Sequence, residues 1–282
     1  MNAPATSEQI KHFRKHGWVR IPRLHSAEHV RRLRAGMEKA FANPPDLKKT
    51  YGAAGATTPK DVVSNKDAKT VLLNVREINR YDADVQEICV DPSVGRVVRS
   101  LFGTAGVRLF SETFLNKPPG GLPTPWHQDL PLQPFDRRES VNCWVALDDI
   151  PLEQGPVQVV SGSHRLGALY MPTDFAEQPS LEKMLSPEDV ELLWSLADPS
   201  DIAVEGVPVH SQPYSAGDGL IFYGSALHGA PTNKTDRPRR GYSRTIISSE
   251  TRYTGMPYLK TDGAGMAPGD LFDREFYPLF PT

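Results

Sequence analysis

Three residues of the chain combine side-chain types that bind metal ions. His127 and Asp129 lie two apart in PWHQDLPLQPFD (125–136), and His228 follows much later in FYGSALHGAPTN. Residues i and i+2 of an extended strand point to the same face, so His127 and Asp129 are expected to project together while Gln128 points away. His228 follows shortly after the apolar run GLIFYG, and strands distant in sequence become neighbours in a jelly roll. The three residues are therefore candidates for one metal site.

Two histidines and one carboxylate on one face of a metal ion are typical of non-haem Fe(II) oxygenases. The opposite face stays open, and it can accept a chelating 2-oxo acid together with dioxygen. The far carboxylate of such a co-substrate needs a partner when it is buried, and the planar fork of arginine suits a carboxylate. The stretch after His228 supplies four candidates, which are Arg237, Arg239, Arg240 and Arg244.

Longer runs around these residues resemble the phytanoyl-CoA dioxygenase family. They are NKPPGGLPTPWHQD, NCWVALDDIPLEQGPVQVVSGSH and LHGAPTNKTDRPRR, preceded near the N-terminus by FRKHGWVRIPRLHSAEHVRRLR. The resemblance spans roughly residues 10–250, and the order and spacing of the runs are specific although each motif is loose. That family comprises Fe(II)- and 2-oxoglutarate-dependent oxygenases on a double-stranded β-helix. The resemblance therefore implies an oxidoreductase that uses Fe(II), 2-oxoglutarate and O₂ and releases succinate and CO₂.

Carried over to this sequence, the resemblance implies that His127, Asp129 and His228 are the iron ligands. It implies that Arg239 binds the far carboxylate of 2-oxoglutarate, with Arg240 as the alternative if the strand starts one residue later. Related halogenases have a small residue at the position of Asp129. Because this chain keeps the carboxylate, hydroxylation or another oxidation of a small-molecule substrate is expected rather than halogenation.

Further positions match residues that line the co-substrate pocket in the family. Trp144 matches an aromatic residue and Thr113 another pocket residue, while Asn74 matches a polar contact to 2-oxoglutarate, with Arg76 on the same face as its alternative.

One position departs from the family pattern. The family often has a serine two residues after the distal histidine, and this chain has Ala230. The missing hydroxyl leaves iron binding unaffected, and Ser225 or Thr113 is a candidate to replace it.

The elements that must position these residues change character along the chain. Helices are predicted over 7–16, 26–41 and 93–103, followed by short β-rich runs over 107–118, 141–150, 156–160, 219–224 and 243–250. A helical insert is predicted over about 165–206, and a loop over 43–69. This order predicts a mainly β, α+β fold: a cupin-like jelly roll (double-stranded β-helix) with N-terminal helices, in one domain over residues 1–282 with core strands over about 107–250.

Composition excludes several functional classes. The formal net charge of −2 does not favour nucleic acid, and no apolar run reaches the ~18 residues of a membrane helix. The chain has two cysteines, Cys89 and Cys143, and no apparent signal segment, so a cytoplasmic location is expected. Neither the substrate nor the oligomeric state follows from the sequence.

Two other histidine pairs have the i, i+4 spacing that can bind zinc on a helix. They are His12 with His16 and His25 with His29, but no third ligand or HExxH motif accompanies them. We therefore predict that both pairs lie on solvated helix faces. His164 in SGSHRLG is predicted to be a structural turn residue. The competing functional class is a non-catalytic or zinc-loaded jelly-roll binding protein.

Overall fold

The structure is a computed structural model that describes residues 4–44, 72–169 and 179–282. Its helices are α1 (Ser7–His16), α2 (Ala27–Ala42), α3 (Ala83–Cys89), α4 (Pro92–Phe102), α5 (Leu181–Met184), α6 (Pro187–Ser195) and α7 (Leu259–Gly263). Its strands are β1 (Trp18–Ile21), β2 (Leu73–Arg76), β3 (Val107–Lys117), β4 (Thr124–His127), β5 (Ser140–Ala146), β6 (Gln158–Val160), β7 (Ile202–Val204), β8 (Val207–His210), β9 (Gly219–Tyr223), β10 (His228–Ala230) and β11 (Arg239–Ser248).

The strands form two antiparallel sheets. The larger sheet has the order β1-β9-β5-β11-β3-β2, and the smaller has the order β4-β10-β6-β8-β7. Most neighbours in each sheet are distant in sequence, as expected for the predicted double-stranded β-helix. Side chains from both sheets meet in one buried cluster that includes Trp144, Leu220 and Val159. The predicted jelly roll is therefore confirmed.

The N-terminal helices cover the outer face of the larger sheet. Phe13 of α1, Leu33 of α2 and Val97 of α4 pack into one buried cluster with Tyr242 and Ile246 of β11. This packing leaves the opposite face of the larger sheet turned toward the smaller sheet, where the candidate site lies.

Local sequence explains where these helices begin and end. Thr6, Ser26 and Asp91 are the N-caps of α1, α2 and α4, and each side chain accepts a hydrogen bond from a backbone N–H. Gly103 ends α4 at a φ of 72°, a conformation that glycine adopts without strain. The three predicted N-terminal helices are confirmed to within about a residue at each end.

The predicted insert is less purely helical than expected. Its described part contains α5 and α6, but it ends in β7, which pairs with β8 and extends the smaller sheet. The apolar runs of β7 and β8 are short, and Pro208 interrupts the second, so the sequence pattern does not indicate strands there. The predicted loop over 43–69 lies outside the described residues from position 45 onward. Among the described helices, none has the length and apolar character needed to cross a membrane.

Candidate metal centre and co-substrate site

His127 and His228 meet at the pairing of two short strands in the smaller sheet. They are direct register partners on β4 and β10, and their ring centroids lie 4.1 Å apart. Asp129 completes the group: its Oδ1 lies 3.7 Å from Nε2 of His127 and its Oδ2 lies 3.8 Å from Nε2 of His228. We call these three residues the barrel triad. The structure brings together all three ligands that the sequence predicted.

Backbone carbonyls determine which ring nitrogen of each histidine faces the centre. Nδ1 of His127 lies 2.9 Å from the carbonyl of Pro125, and Nδ1 of His228 lies 3.0 Å from that of Ala226. Since a carbonyl only accepts, each Nδ1–H donates and each Nε2 lone pair is left for a metal. Burial lowers the pKa of His127 to about 4, and the neighbouring His228 adds to this effect. The imidazole of His127 is therefore neutral at physiological pH.

The barrel triad fits a divalent metal ion. Its nitrogen–oxygen separations are too long for hydrogen bonds and about 0.7–0.8 Å longer than the roughly 3 Å between adjacent ligands with bonds of about 2.1 Å. Two neutral imidazoles and a carboxylate are also the ligand set of the non-haem Fe(II) facial triad. The residues present therefore match the cofactor that the sequence implied.

Asp129 reaches the centre in a different way from the one predicted. β4 ends at His127, and Asp129 lies beyond the strand with a helical backbone (φ −77°, ψ −42°). The predicted extended strand through Asp129 is therefore wrong. Gln128 does point away from the centre, as predicted, and its amide Nε2 donates to the carbonyls of Gly167 and Ser225. A short 3₁₀ helix follows Asp129 in place of the strand, and the N–H of Leu132 donates to the carbonyl of Asp129.

Two residues that the sequence analysis missed support Asp129. Nδ2 of Asn142 donates to Oδ2 of Asp129 at 3.2 Å, and the hydroxyl of Ser243 donates to Oδ1 of Asn142 at 2.5 Å. Asn142 lies two residues before Trp144 on β5, so strand alternation could have identified it as a residue on the same face.

Arg239 lies on the inner face of the larger sheet with most of its guanidinium unbonded among the described residues. It is only 1% exposed, and its Nε and Nη1 atoms have no hydrogen-bond partner among the described residues. Burial lowers its pKa to about 10, so the guanidinium still carries its charge at neutral pH. Because an unpaired buried charge is costly, this site favours a bound anion.

The alternative, Arg240, faces the other way. Its Nε and Nη2 bind both carboxylate oxygens of Asp148 at 2.9 and 2.7 Å. β11 begins at Arg239 and not near 243 as predicted, so strand alternation separates the two arginines. The sequence left both arginines open, and the register of β11 turns only Arg239 inward.

The other predicted pocket residues share the inner face with Arg239. Trp144 and Thr113 are both register partners of Ser243, and the guanidinium carbon of Arg239 lies 5.8 Å from the Trp144 ring centroid. Nε1 of Trp144 is buried without a hydrogen-bond partner in the described part of the chain.

Asn74 and Arg76 lie at the edge of the same face, on β2. They are the register partners of Leu115 and Thr113 respectively, so the predicted shared face is observed. Oδ1 of Asn74 is buried and has no partner among the residues that the structure describes. Asn74 thus offers a free polar atom at this edge of the sheet.

Comparison with known proteins identifies the family. The phytanoyl-CoA dioxygenase (PhyH) family model matches residues 13–241. The chain belongs to the phytanoyl-CoA dioxygenase family. It is an Fe(II)- and 2-oxoglutarate-dependent dioxygenase, and the family uses Fe(II), 2-oxoglutarate and O₂.

Characterised relatives of this dioxygenase differ in what they act on. The peroxisomal phytanoyl-CoA dioxygenase of Rattus norvegicus is 26% identical over 88% of this chain and 70% of its own length. The ectoine dioxygenase of Stutzerimonas stutzeri is 24% identical over 84% of this chain and 75% of its own length. Among solved structures, the epimerase SnoN in complex with Fe³⁺, α-ketoglutarate and nogalamycin RO has a TM-score of 0.73 at 23% identity, covering 97% of this chain and 98% of its own.

The dioxygenase departs from the family pattern at Ala230, and the structure shows what surrounds that position. Nζ of Lys117 donates to the carbonyls of Leu122 at 2.6 Å and Pro231 at 3.0 Å, and it lies 3.4 Å from that of Ala230. Burial, with Arg239 nearby, lowers the pKa of Lys117 to about 7. No motif in the sequence indicated a buried lysine at this position.

The two candidates for replacing the missing serine lie in different places. Thr113 lies on the inner face of the larger sheet. Ser225 borders a cavity of about 410 Å³ beside His164 and Tyr223, and no member of the barrel triad lines that cavity. Of the two, Thr113 is the residue on the face that carries Arg239.

Within its described residues, the dioxygenase has three separate groups of His and carboxylate residues, and the residues of each group lie close enough together to bind one ion. Besides the barrel triad, these are the α1–insert triad (His12, His16, Asp198) and the α2 cluster (His25, His29, Asp91). The prediction that these histidines lie on solvated helix faces is wrong, because His16 and His25 are 5% and 2% exposed. Each pair also gains a carboxylate from a distant segment, which the sequence spacing does not reveal. The predicted turn residue His164 does lie in a short 3₁₀ turn, stacked on Tyr223.

Proposed function

We propose that this dioxygenase oxidises a small-molecule metabolite, with Fe(II) held by His127, Asp129 and His228 and the far carboxylate of 2-oxoglutarate bound by Arg239. When bound, the iron and the 2-oxo acid supply the activation of dioxygen, with release of succinate and CO₂. The protein supplies the ligands, their orientation and a site from which water is excluded.

The observation that carries the proposal is a buried arginine, with two nitrogens unbonded among the described residues, on the sheet face whose Ser243 and Asn142 are hydrogen-bonded to Asp129 of the barrel triad. Arg239 is 1% exposed and two of its guanidinium nitrogens have no hydrogen-bond partner among the described residues, so a carboxylate is the expected ligand. 2-Oxoglutarate offers a carboxylate at one end and a chelating oxo-acid group at the other. The pairing of Arg239 with the barrel triad therefore matches both ends of this co-substrate.

Other residues of the chain position these groups. Asn142 and Ser243 form a hydrogen-bonded chain that orients the carboxylate of Asp129. Trp144 packs beside Arg239. Gly241 has no side chain and so makes room for the indole of Trp144, since a Cβ at Gly241 would lie 2.4 Å from Nε1 of the indole. We assign Trp144, Thr113 and Asn74 to the lining of the co-substrate pocket because they share its sheet face.

The substrate class follows only in outline from the relatives. Their names include phytanoyl-CoA dioxygenase, ectoine dioxygenase and the L-proline trans-4-hydroxylase of Streptomyces griseoviridis. These names cover an acyl-CoA and two small cyclic amino or imino acids, which share no common scaffold. We therefore propose hydroxylation, or another oxidation, of a small metabolite.

An anaerobic titration with Fe(II) and 2-oxoglutarate tests the site. The intact protein is expected to develop a weak visible charge-transfer band, and His127→Ala is expected to lose it. His164→Ala is the matched control, because this histidine lies outside the barrel triad and should leave the band unchanged. A protein that binds zinc but never develops the band with Fe(II) would instead be the zinc-loaded jelly-roll binding protein.

The substrate is best sought by succinate release. Candidate metabolites are screened against the intact enzyme with Fe(II), 2-oxoglutarate and O₂, and the true substrate is expected to raise succinate formation above the uncoupled background. The Arg239→Met variant, run in parallel, should abolish the increase at low 2-oxoglutarate concentration.

A further inference from the structure

The α1–insert triad lies outside the jelly-roll centre and joins two distant segments. His12 and His16 are one helical turn apart on α1, with ring centroids 4.4 Å apart. Asp198 follows α6 in the insert, and its Oδ2 lies 3.6 Å from Nδ1 of His12 and 3.9 Å from Nε2 of His16. These separations nearly equal those of the barrel triad, and both exceed the length of a hydrogen bond.

The surroundings of this triad direct electron pairs toward its centre. Nδ1 of His16 lies 2.8 Å from the carbonyl of Leu196, so it donates its proton there and leaves the Nε2 lone pair facing Asp198. Oδ1 of Asp198 accepts hydrogen bonds from the backbone N–H and the hydroxyl of Ser200. Oδ2 is thereby left to face the two rings. Carbonyl-bound histidine and hydrogen-bonded carboxylate are the supports expected around metal ligands.

The His12 ring is itself held in place. It contacts Trp18 edge-on, with ring centroids 4.4 Å apart, and Trp18 donates its indole N–H to Ser161. A restrained ring loses less conformational freedom when it binds an ion.

The α2 cluster has the same side-chain types but differs in where its protons lie. Nη2 of Arg244 donates to Nε2 of His25 at 2.8 Å, so the proton of neutral His25 must lie on Nδ1. That Nδ1 faces His29 at 3.2 Å and Asp91 at 3.6 Å. Because its inward nitrogen carries a proton, His25 has no lone pair for a metal. In the α1–insert triad, by contrast, His16 has its lone pair directed inward.

We propose that His12, His16 and Asp198 form a second divalent-metal site, with zinc as the preferred ion. Two imidazole nitrogens and one carboxylate oxygen are a zinc ligand set, with water as the fourth ligand. Bonds of about 2.0–2.1 Å separate neighbouring ligand atoms by roughly 3.3 Å, so each side chain needs to move only a few tenths of an ångström. The proposed ion would cross-link α1 to the insert. The hydrogen bond between His16 and Leu196 already joins these two segments, which are 180 residues apart in sequence.

The proposed site holds a segment that contacts residues adjacent to the barrel triad. Gly167 and Leu169, near the start of the insert, bind the side chain of Gln128. Gln128 lies between the predicted ligands His127 and Asp129. Near its other end, Glu205 accepts a hydrogen bond from the indole of Trp126. A metal at Asp198 therefore fastens the same segment to α1 at a third point. We assign this ion a structural role, separate from the proposed catalysis.

The test uses the full chain with the barrel triad disabled by His127→Ala and His228→Ala. This double variant is titrated with Zn²⁺ in competition with a chromophoric chelator, and with Co²⁺ as a spectroscopic probe. One equivalent of Zn²⁺ is expected to bind, the Co²⁺ complex should show tetrahedral visible bands, and Zn²⁺ should raise the melting temperature by several degrees. Adding Asp198→Asn, which is isosteric, or His12→Gln is expected to weaken binding at least tenfold and remove the thermal shift.

His29→Ala in the same double variant is the matched control and should bind Zn²⁺ normally. Failure of the double variant to bind Zn²⁺ stoichiometrically would overturn the proposal. So would an affinity that is unchanged by Asp198→Asn and His12→Gln but lost in His29→Ala. None of these readouts depends on turnover of 2-oxoglutarate, so they are independent of the proposed function.

Discussion

The barrel triad and the α1–insert triad have the same three side-chain types at nearly the same separations. Their nitrogen–oxygen distances are 3.7 and 3.8 Å in the first and 3.6 and 3.9 Å in the second. They differ in their surroundings. The barrel triad lies in the jelly roll that also carries the unpartnered Arg239, whereas the other triad bridges a helix and the insert. Side-chain types and the direction of their lone pairs therefore determine whether a metal can bind, and neighbouring groups determine what the metal can do there.

The strongest way to break this comparison is to remove one histidine from each triad. His228→Ala is expected to reduce 2-oxoglutarate turnover to background, since a metal ligand is lost from the proposed catalytic centre. His12→Ala should leave turnover essentially unchanged when assayed at the same temperature. Succinate release with a fixed substrate measures both effects. Equal loss in the two variants would contradict the assignment of separate roles.

The next largest effect is expected at the two adjacent arginines. Arg239→Met removes the two charge-assisted hydrogen bonds proposed to the far carboxylate of 2-oxoglutarate, each expected to contribute about 1.5–3 kcal/mol, and should raise the KM for 2-oxoglutarate roughly 100-fold or more. Arg240→Met breaks the partly exposed ion pairs with Asp148 and Glu38, so it should lower the free energy of unfolding by about 1 kcal/mol or less and leave KM unchanged. Steady-state kinetics and urea unfolding separate the two. A KM effect confined to Arg240→Met would mean that β11 is out of register by one residue.

A smaller effect is expected from residues that orient each carboxylate. Asn142→Ala removes the hydrogen bond to Asp129 and should weaken Fe(II) binding about tenfold, as is typical for such supporting partners. Ser200→Ala is its counterpart in the α1–insert triad and should weaken Zn²⁺ binding alone. Metal titration of each variant checks this. The comparison fails if Ser200→Ala affects the Fe(II) affinity and Asn142→Ala does not.

The smallest effect is expected from crowding beside Arg239. A methyl group in Gly241→Ala would lie 2.4 Å from Nε1 of Trp144, so the indole must shift and the KM for 2-oxoglutarate should rise several-fold. Zn²⁺ binding at the α1–insert triad should not change, because Gly241 lies on the larger sheet away from α6. An unchanged KM, with normal folding, would remove Trp144 from the pocket lining.

Residue types and spacing predicted much of the fold and of the barrel triad. The N-terminal helices have strong caps and clear periodicity, so they were predicted to within about a residue. β4, β7, β8 and β10 are only three or four residues long, too short for alternation to distinguish them from loops. Asn142 and Ser243 were missed because neither belongs to a motif, and their role depends on β5 lying beside β11.

The sequence by itself determined which residues can bind iron and 2-oxoglutarate, because ligand chemistry belongs to the side chain. Tertiary structure decided which sheet face each of Arg239 and Arg240 occupies, since strand alternation and the carboxylate of Asp148 assign the two arginines to opposite faces. It also decided that Asp198 completes the pair of histidines on α1. Contacts between such distant segments arise from packing of the whole chain, and no local pattern of residues encodes them.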